Sequence, residues 1–160
     1  MNEILDQLRS TLESGLSGRG VTTFFKGVVR APKKSTLPII AVRPNSTSQA
    51  HSGTVRDRAE YNIAIDLYVN VLNYVDPTNG QGNQLDTLDA LVDIMEERES
   101  DGDAKTNTVL GVINANLTIG NRVLYTDNVQ IDYSDYYNPA RHPVAVITAT
   151  FTAYDRPNRT

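Results

Sequence analysis

The chain has 160 residues, of which 39% are hydrophobic and 21% are charged, as in an ordinary globular domain. Its formal charge of −4 argues against a surface that binds polyanions as a whole. The absence of cysteine excludes disulfides, thiolate metal sites and a cysteine nucleophile. The first residues do not resemble a signal peptide and no apolar run approaches the ~20 residues of a membrane span, so we expect no contact with a membrane.

The first part of the chain predicts a helix followed by two strands. The helix is expected over residues 2–13, with an apolar stripe formed by Ile4, Leu5, Leu8 and Leu12. Strands are expected over 21–30 and 37–42, joined by a hairpin connection at 31–36. The stretch 45–57 is rich in Ser, Thr and Asn, which predicts a long loop.

The clearest pattern lies in residues 61–72. Apolar residues recur there at every second position: Tyr61, Ile63, Ile65, Leu67, Val69 and Val71. A period of two is typical of a strand with one buried face and one face that is at least partly wet. We therefore expect this run to be the central strand of the sheet.

The second part of the chain predicts another helix and two more strands. The helix is expected over 83–99, with an apolar stripe formed by Leu85, Leu88, Leu91, Val92 and Met95. Residues 109–117 fit either a short helix or a strand. Strands are expected over 121–133 and 144–154, and 155–160 should form a short C-terminal tail.

This order of elements predicts one α+β domain that spans residues 1–160. We expect one largely antiparallel mixed sheet of about five strands, with two main helices packed on one face. In that arrangement the central aliphatic residues Ile63, Ile65 and Leu67 lie beneath the second helix, against Leu88, Leu91 and Val92.

The sequence shows no constellation of residues that would support catalysis. His51 and His142 have no partners at the spacing of a zinc site or a catalytic triad. The carboxylates of the second helix fall opposite its leucines, which is typical of a solvated face. We therefore expect no catalytic site, no metal site and no cofactor.

Two kinds of surface residue are candidates for contacts with partners. The first is a cluster that suits a subunit or partner interface, or whose rings pack back on the sheet edge: Tyr133, Tyr136, Tyr137 and Arg141. The second is a pair of basic loops, Arg30 with Lys33 and Lys34, and Arg56 with Arg58. These cations could guard strand ends, bind nucleic acid, or face a partner or the lumen of an assembly.

The order of elements also resembles a known family. The likeness rests on the first amphipathic helix, on the leucine-striped second helix and on four further segments. These segments are FKGVV (25–29), LPIIAVRP (37–44), YNIAIDLYV (61–69) and AVITATFTAY (145–154). Together they resemble the tail terminator, or tail completion, proteins of long-tailed bacteriophages. The likeness covers nearly the whole chain and is one of pattern.

The resemblance implies a structural virion protein that is not an enzyme. Members of that family form a homohexameric ring that caps the tail tube, ends its polymerisation and offers a docking face for the head–tail connector. The implied partners are other copies of the chain, the tail tube protein and the connector protein, with DNA only passing through the lumen. The implied location is the tail–neck junction of the virion, after synthesis in the host cytoplasm.

Three other functions are compatible with the sequence. The nearest is a head–tail connector or stopper of the neck, which belongs to the same assembly. A small metal-dependent hydrolase that uses the acidic second helix is a distant alternative. The third is a host binding module in which a peptide adds to the sheet edge.

Overall fold

The computed structural model describes residues 1–33, 36–50, 58–70, 84–133 and 144–155. At positions 48–50, 58, 70, 84–88 and 90 it describes the backbone but not the burial of the side chains. The elements in chain order are α1 (Asn2–Gly15), β1 (Thr23–Lys26), β2 (Ile39–Ala50), β3 (Arg58–Asn70), α2 (Gln84–Glu96), α3 (Val109–Ala115), β4 (Tyr125–Asp132) and β5 (Val144–Tyr154).

The strands form one mixed five-stranded sheet in the order β1-β2-β3-β5-β4, which confirms the predicted α+β class. β3 lies in the middle, as its period-two pattern predicted. The pairs β2–β3, β3–β5 and β5–β4 are antiparallel, whereas β1 and β2 are parallel. The hairpin predicted for 31–36 is therefore wrong, because parallel neighbours need a connection that returns the chain to the same end of the sheet.

The main hydrophobic core lies between the helices and one face of the sheet. Ile63, Ile65 and Leu67 are buried there in one cluster with Leu91 of α2. This confirms that α2 covers the central strand, although Val92 is only partly buried. The side chain of Leu88 lies outside the described part. The same cluster contains the predicted stripe of α1: Ile4, Leu5, Leu8 and Leu12.

β2 is longer than the sequence predicts. Residues 46–50 pair with residues 58–62 of β3, so the loop expected over 45–57 is wrong for its first part. These polar residues form a strand because pairing with β3 satisfies their backbone groups, and no apolar face is needed at this end of the sheet. The register shifts between Pro44 and Ser46, where proline cannot donate a ladder hydrogen bond.

β1 is shorter than the predicted strand over 21–30. Gly27 has a φ of +114°, a backbone conformation that residues with a side chain rarely adopt. Its N–H still donates to the carbonyl of Val42 at 2.9 Å, and the chain then leaves the sheet. The parallel pair therefore covers only the four residues of β1.

The segment 109–117, which the sequence left open between helix and strand, contains the helix α3. Thr108 caps this helix, because its hydroxyl oxygen accepts a hydrogen bond from the N–H of Gly111 at 3.0 Å. A Cβ atom at Gly111 would lie 2.0 Å from the carbonyl oxygen of Lys105, so only glycine fits this close approach. α3 packs against α1 and α2, which gives three helices in place of the two main ones predicted.

A group of polar contacts joins the end of α1 to the connection between α2 and α3. The carboxylate of Glu97 forms ion pairs with Arg19, at 2.6 Å, and with Lys105. Arg19 also donates to the side chain of Asn107 at 2.7 Å. The hydrogen bond from Lys105, and then that from Arg19, lowers the pKa of Glu97.

A left-handed turn precedes β4 and delays its start to Tyr125. Its backbone φ angles are 44°, 59° and 64° at Ile119, Gly120 and Asn121. Ile119 is a β-branched residue in an unfavourable conformation, and burial of its side chain in the main core offsets that cost. Directly after the turn, Arg122 pairs with Glu3 of α1 at 2.9 Å.

Candidate interface surfaces and the polar face of the sheet

Tyr133, the first residue of the predicted interface cluster, follows directly after the outer strand β4. Its hydroxyl donates to Glu96 at the end of α2, and its ring packs against the main core. Burial, and then the hydrogen bond to Glu96, raises the pKa of the Tyr133 phenol. This ring packs back on the sheet edge. Tyr136, Tyr137 and Arg141 lie outside the described residues, so an interface at this loop stays a prediction.

The structure places the two basic groups at opposite ends of β2. Arg30 and Lys33 are exposed in the connection that leads into the first residue of β2, and neither has an ion pair to a described residue. Arg58 is paired with the last residue of that strand. Because β2 has 12 residues, the two ends are about 40 Å apart. Outside the described residues lie Lys34 and Arg56.

The face of the sheet opposite the helices carries an ion pair that the sequence analysis did not predict. Asp66 is buried on this face and accepts hydrogen bonds from Arg43 Nε at 2.6 Å and Nη2 at 3.2 Å. It also accepts one from the hydroxyl of Thr148 at 2.7 Å. The hydrogen bond to Asp66 raises the pKa of Arg43 against the opposing effect of burial.

The sequence singles out the two residues of this ion pair but not their contact. Asp66 is the only charged residue in the predicted strand 61–72, and Arg43 is the only one in the segment 37–44. Each strand therefore carries a single charge among residues that are otherwise suited to burial, and the two charges have opposite signs. The contact links β2, β3 and β5 at the centre of the sheet.

Beside this pair, an open concave region of about 650 Å³ lies next to β4, lined by Arg43, Gln130, Ile131, Asp132, Thr148 and Thr150. Elsewhere, Asp89 and Asp93 of α2 are exposed to solvent, as the sequence predicted for the acidic face of this helix. Within the described ranges, no group of three or more His, Asp or Glu side chains is arranged to hold a metal ion.

Exposed apolar side chains lie at both outer strands of the sheet. Phe25 is 45% exposed at β1, and Val28, which follows that strand, is 62% exposed. At the opposite edge, Leu124 and Tyr125 are also exposed, and Tyr125 stacks on Tyr154 with ring centroids 4.5 Å apart. The sequence around Phe25 predicts a strand but does not indicate that this strand lies at an edge of the sheet.

Comparison with known proteins adds no name to these surfaces. The chain matches no protein-family model, and no curated protein matches it. In the described part of the chain, no helix has both the length and the apolar character needed to cross a membrane. The interface residues and the assembly role remain predictions from the sequence pattern.

Proposed function

We propose that this protein is a structural virion component that ends the tail tube of a long-tailed bacteriophage. A ring of copies caps the tube, stops its polymerisation and presents a docking face to the head–tail connector. Two features support the proposal: the order of elements resembles the tail terminator pattern, and the mixed α+β sheet agrees with the protomer of that family.

The observation that carries the proposal is the position of the exposed apolar side chains. Phe25 lies on one outer strand of the sheet with Val28 just after that strand, and Leu124 and Tyr125 lie at the opposite edge. An isologous contact uses one patch twice, whereas two unlike patches at opposite edges suit a heterologous, head-to-tail contact. Head-to-tail contacts close into a ring when the rotation between successive copies closes.

Electron microscopy of particles made without this protein tests the proposal. A tube that lacks its terminator continues to grow, so we expect tails longer than those of the wild type, with normal length restored when the wild-type chain is supplied. Tails of normal length would contradict the proposal. Normal tails together with heads that leak DNA would identify the stopper of the neck instead.

A further inference from the structure

We propose that the outer edge at β1 of one copy docks on the outer edge at β4 of the next copy. We define the β1 edge as the outer strand β1 together with the connection that follows it, residues 23–33, and the β4 edge as residues 124–132. The partner is therefore a second copy of this chain. That the copies close into a ring rests on the proposed function. The pairing of the two edges is argued from their charge, shape and strand direction.

The two edges carry opposite charges. The β1 edge contains Lys26, Arg30 and Lys33 and no carboxylate. Lys26 pairs with Asp6 of α1 at 2.7 Å, which leaves Arg30 and Lys33 as exposed cations without an ion pair to a described residue.

The β4 edge contains two exposed carboxylates, Asp127 and Asp132, and no cation. Asp127 accepts a hydrogen bond from the N–H of Asn128 at 2.7 Å and has no ion pair within the described ranges. Opposite charges at a contact steer association and select its partner, and they suit a contact between unlike edges. A contact between two β4 edges would instead bring carboxylates together.

The sheet register places the apolar projection and the concave region on one face. One row of paired residues crosses all five strands on the face away from the helices. From β1 to β4 this row consists of Phe25, Ala41, Asp66, Thr148 and Asp132. A second copy that continues the sheet in the same orientation therefore brings its Phe25 next to Asp132. The concave region of about 650 Å³ lies at this end of the row and provides room for an aromatic ring.

Strand direction also suits this contact. β1 and β2 run in the same direction, and each later neighbour in the order β2-β3-β5-β4 runs opposite to the one before it. β4 is thus antiparallel to β1, and the next copy's β1 would meet β4 as an antiparallel strand, the more common pairing. β1 has only four residues, and β4 is interrupted by a register shift between Asp127 and Gln130, so any strand pairing is short. The side chains must supply most of the affinity.

Charge reversal tests the polarity of the contact. The variant Arg30→Glu/Lys33→Glu makes both edges acidic, and Asp132→Lys weakens the acidic edge at the end where these cations lie. We expect each to weaken self-association about tenfold or more, measured by analytical ultracentrifugation over a concentration series. The variant that combines all three changes should recover assembly, because the cation introduced on the β4 edge can then pair with the carboxylates introduced at positions 30 and 33. Asp89→Lys, on the exposed face of α2, is the matched control and should assemble like the wild type.

Cross-linking tests which residues meet. Because the chain has no cysteine, Val28→Cys and Gln130→Cys each introduce a unique thiol, and the register that brings Phe25 next to Asp132 also brings these two positions near each other. With a bifunctional maleimide, the variant that carries both changes should give a ladder of multimers, and each single variant should give no covalent dimer. Dimers from one single variant would show an isologous contact and overturn the inference.

Two further outcomes separate this inference from the proposed function. Multimers that form by mass but neither cross-link in the double variant nor respond to charge reversal would overturn the edge pairing and leave the tail-cap role standing. A wild-type chain that stays monomeric at its solubility limit would also overturn the edge pairing. Tail length in particles without the protein reports on the proposed function independently of both results.

Discussion

The buried ion pair of the sheet predicts unequal costs for removing its two partners. The side chain of Asp66 is 5% exposed and that of Arg43 is 26% exposed. Arg43→Met leaves a buried carboxylate with Thr148 as its remaining side-chain donor among the described residues, and we expect it to lower the free energy of unfolding by about 3–4 kcal/mol. Asp66→Asn leaves a guanidinium that water can reach, and we expect a smaller loss of about 1–2 kcal/mol.

Urea unfolding at neutral pH, followed by circular dichroism, measures both values. The variant that carries both changes should lose less than the two single losses added together, because the partners interact directly. Arg122→Met is the control, since it breaks an exposed ion pair with Glu3 and should cost under about 1 kcal/mol. The reasoning is refuted if Asp66→Asn costs as much as Arg43→Met, or if the two losses simply add.

Four further predictions concern single contacts. Thr148→Val removes a hydroxyl from the buried carboxylate and should lower the free energy of unfolding by about 1–2 kcal/mol in urea. Tyr133→Phe should cost about 1–2 kcal/mol at pH 7. Because the pKa of this phenol is raised in the folded state, its hydrogen bond stabilises the fold fully below the unfolded pKa near 10, and this stabilisation is lost as the pH rises further. The free energy of unfolding should therefore depend less on pH between about pH 8 and 11 in the variant than in the wild type. Because the pKa of Glu97 is lowered in the folded state, its ion pairs stabilise the fold above the pKa of the unfolded chain, and this stabilisation is lost on acidification. Glu97→Gln should therefore speed hydrogen exchange in 97–108 at pH 7 and remove part of its acid dependence. Gly111→Ala forces a Cβ against the carbonyl of Lys105 and should cost about 1–3 kcal/mol or more, measured by thermal unfolding.

Each of these predictions has a matched control in the chain. Thr150→Val, on the same face of β5, and Tyr125→Phe, in an exposed stack, should each cost less than the corresponding test variant. Asp93→Asn, on the solvated face of α2, should leave exchange in 97–108 unchanged. Gly15→Ala clashes only with the side chain of Val112, so Val112→Ala should rescue it. Equal losses of stability in a test variant and its control would contradict the contact assigned to that residue. Rescue of Gly111→Ala by Val112→Ala would contradict the assigned clash with Lys105.

The sequence predicted those parts of the fold in which a local pattern and burial agree. The alternation around Ile63 and Ile65 identified both the central strand and the face that the helices cover, since apolar burial decides that orientation. It did not predict that β2 continues over residues 46–50, because a partner strand stabilises those polar residues. The parallel pairing of β1 was also missed, since the length of the connection at 31–36 suggested a hairpin.

The candidate surfaces were predicted less well than the fold. A single sequence identifies charged residues but not which distant ones meet, so the contact between Arg43 and Asp66 could not be derived from it. The exposure of Phe25 depends on strand order, which local periodicity does not encode. Tyr133 was predicted as part of an interface cluster or of a loop whose rings pack back on the sheet edge, and its described contact is with Glu96 of the same chain.

The contacts of α1 have a consequence for the order in which the protein can mature on the ribosome. This helix is synthesised before the other described elements, yet Val112 packs against Gly15, Asn107 binds the turn that follows the helix, and Arg122 pairs with Glu3 near its start. The nascent helix therefore lacks the last of these partners until translation has reached residue 122. Its contacts with β1 and β2 can form earlier, and late arrival of the α3 region completes the helical layer.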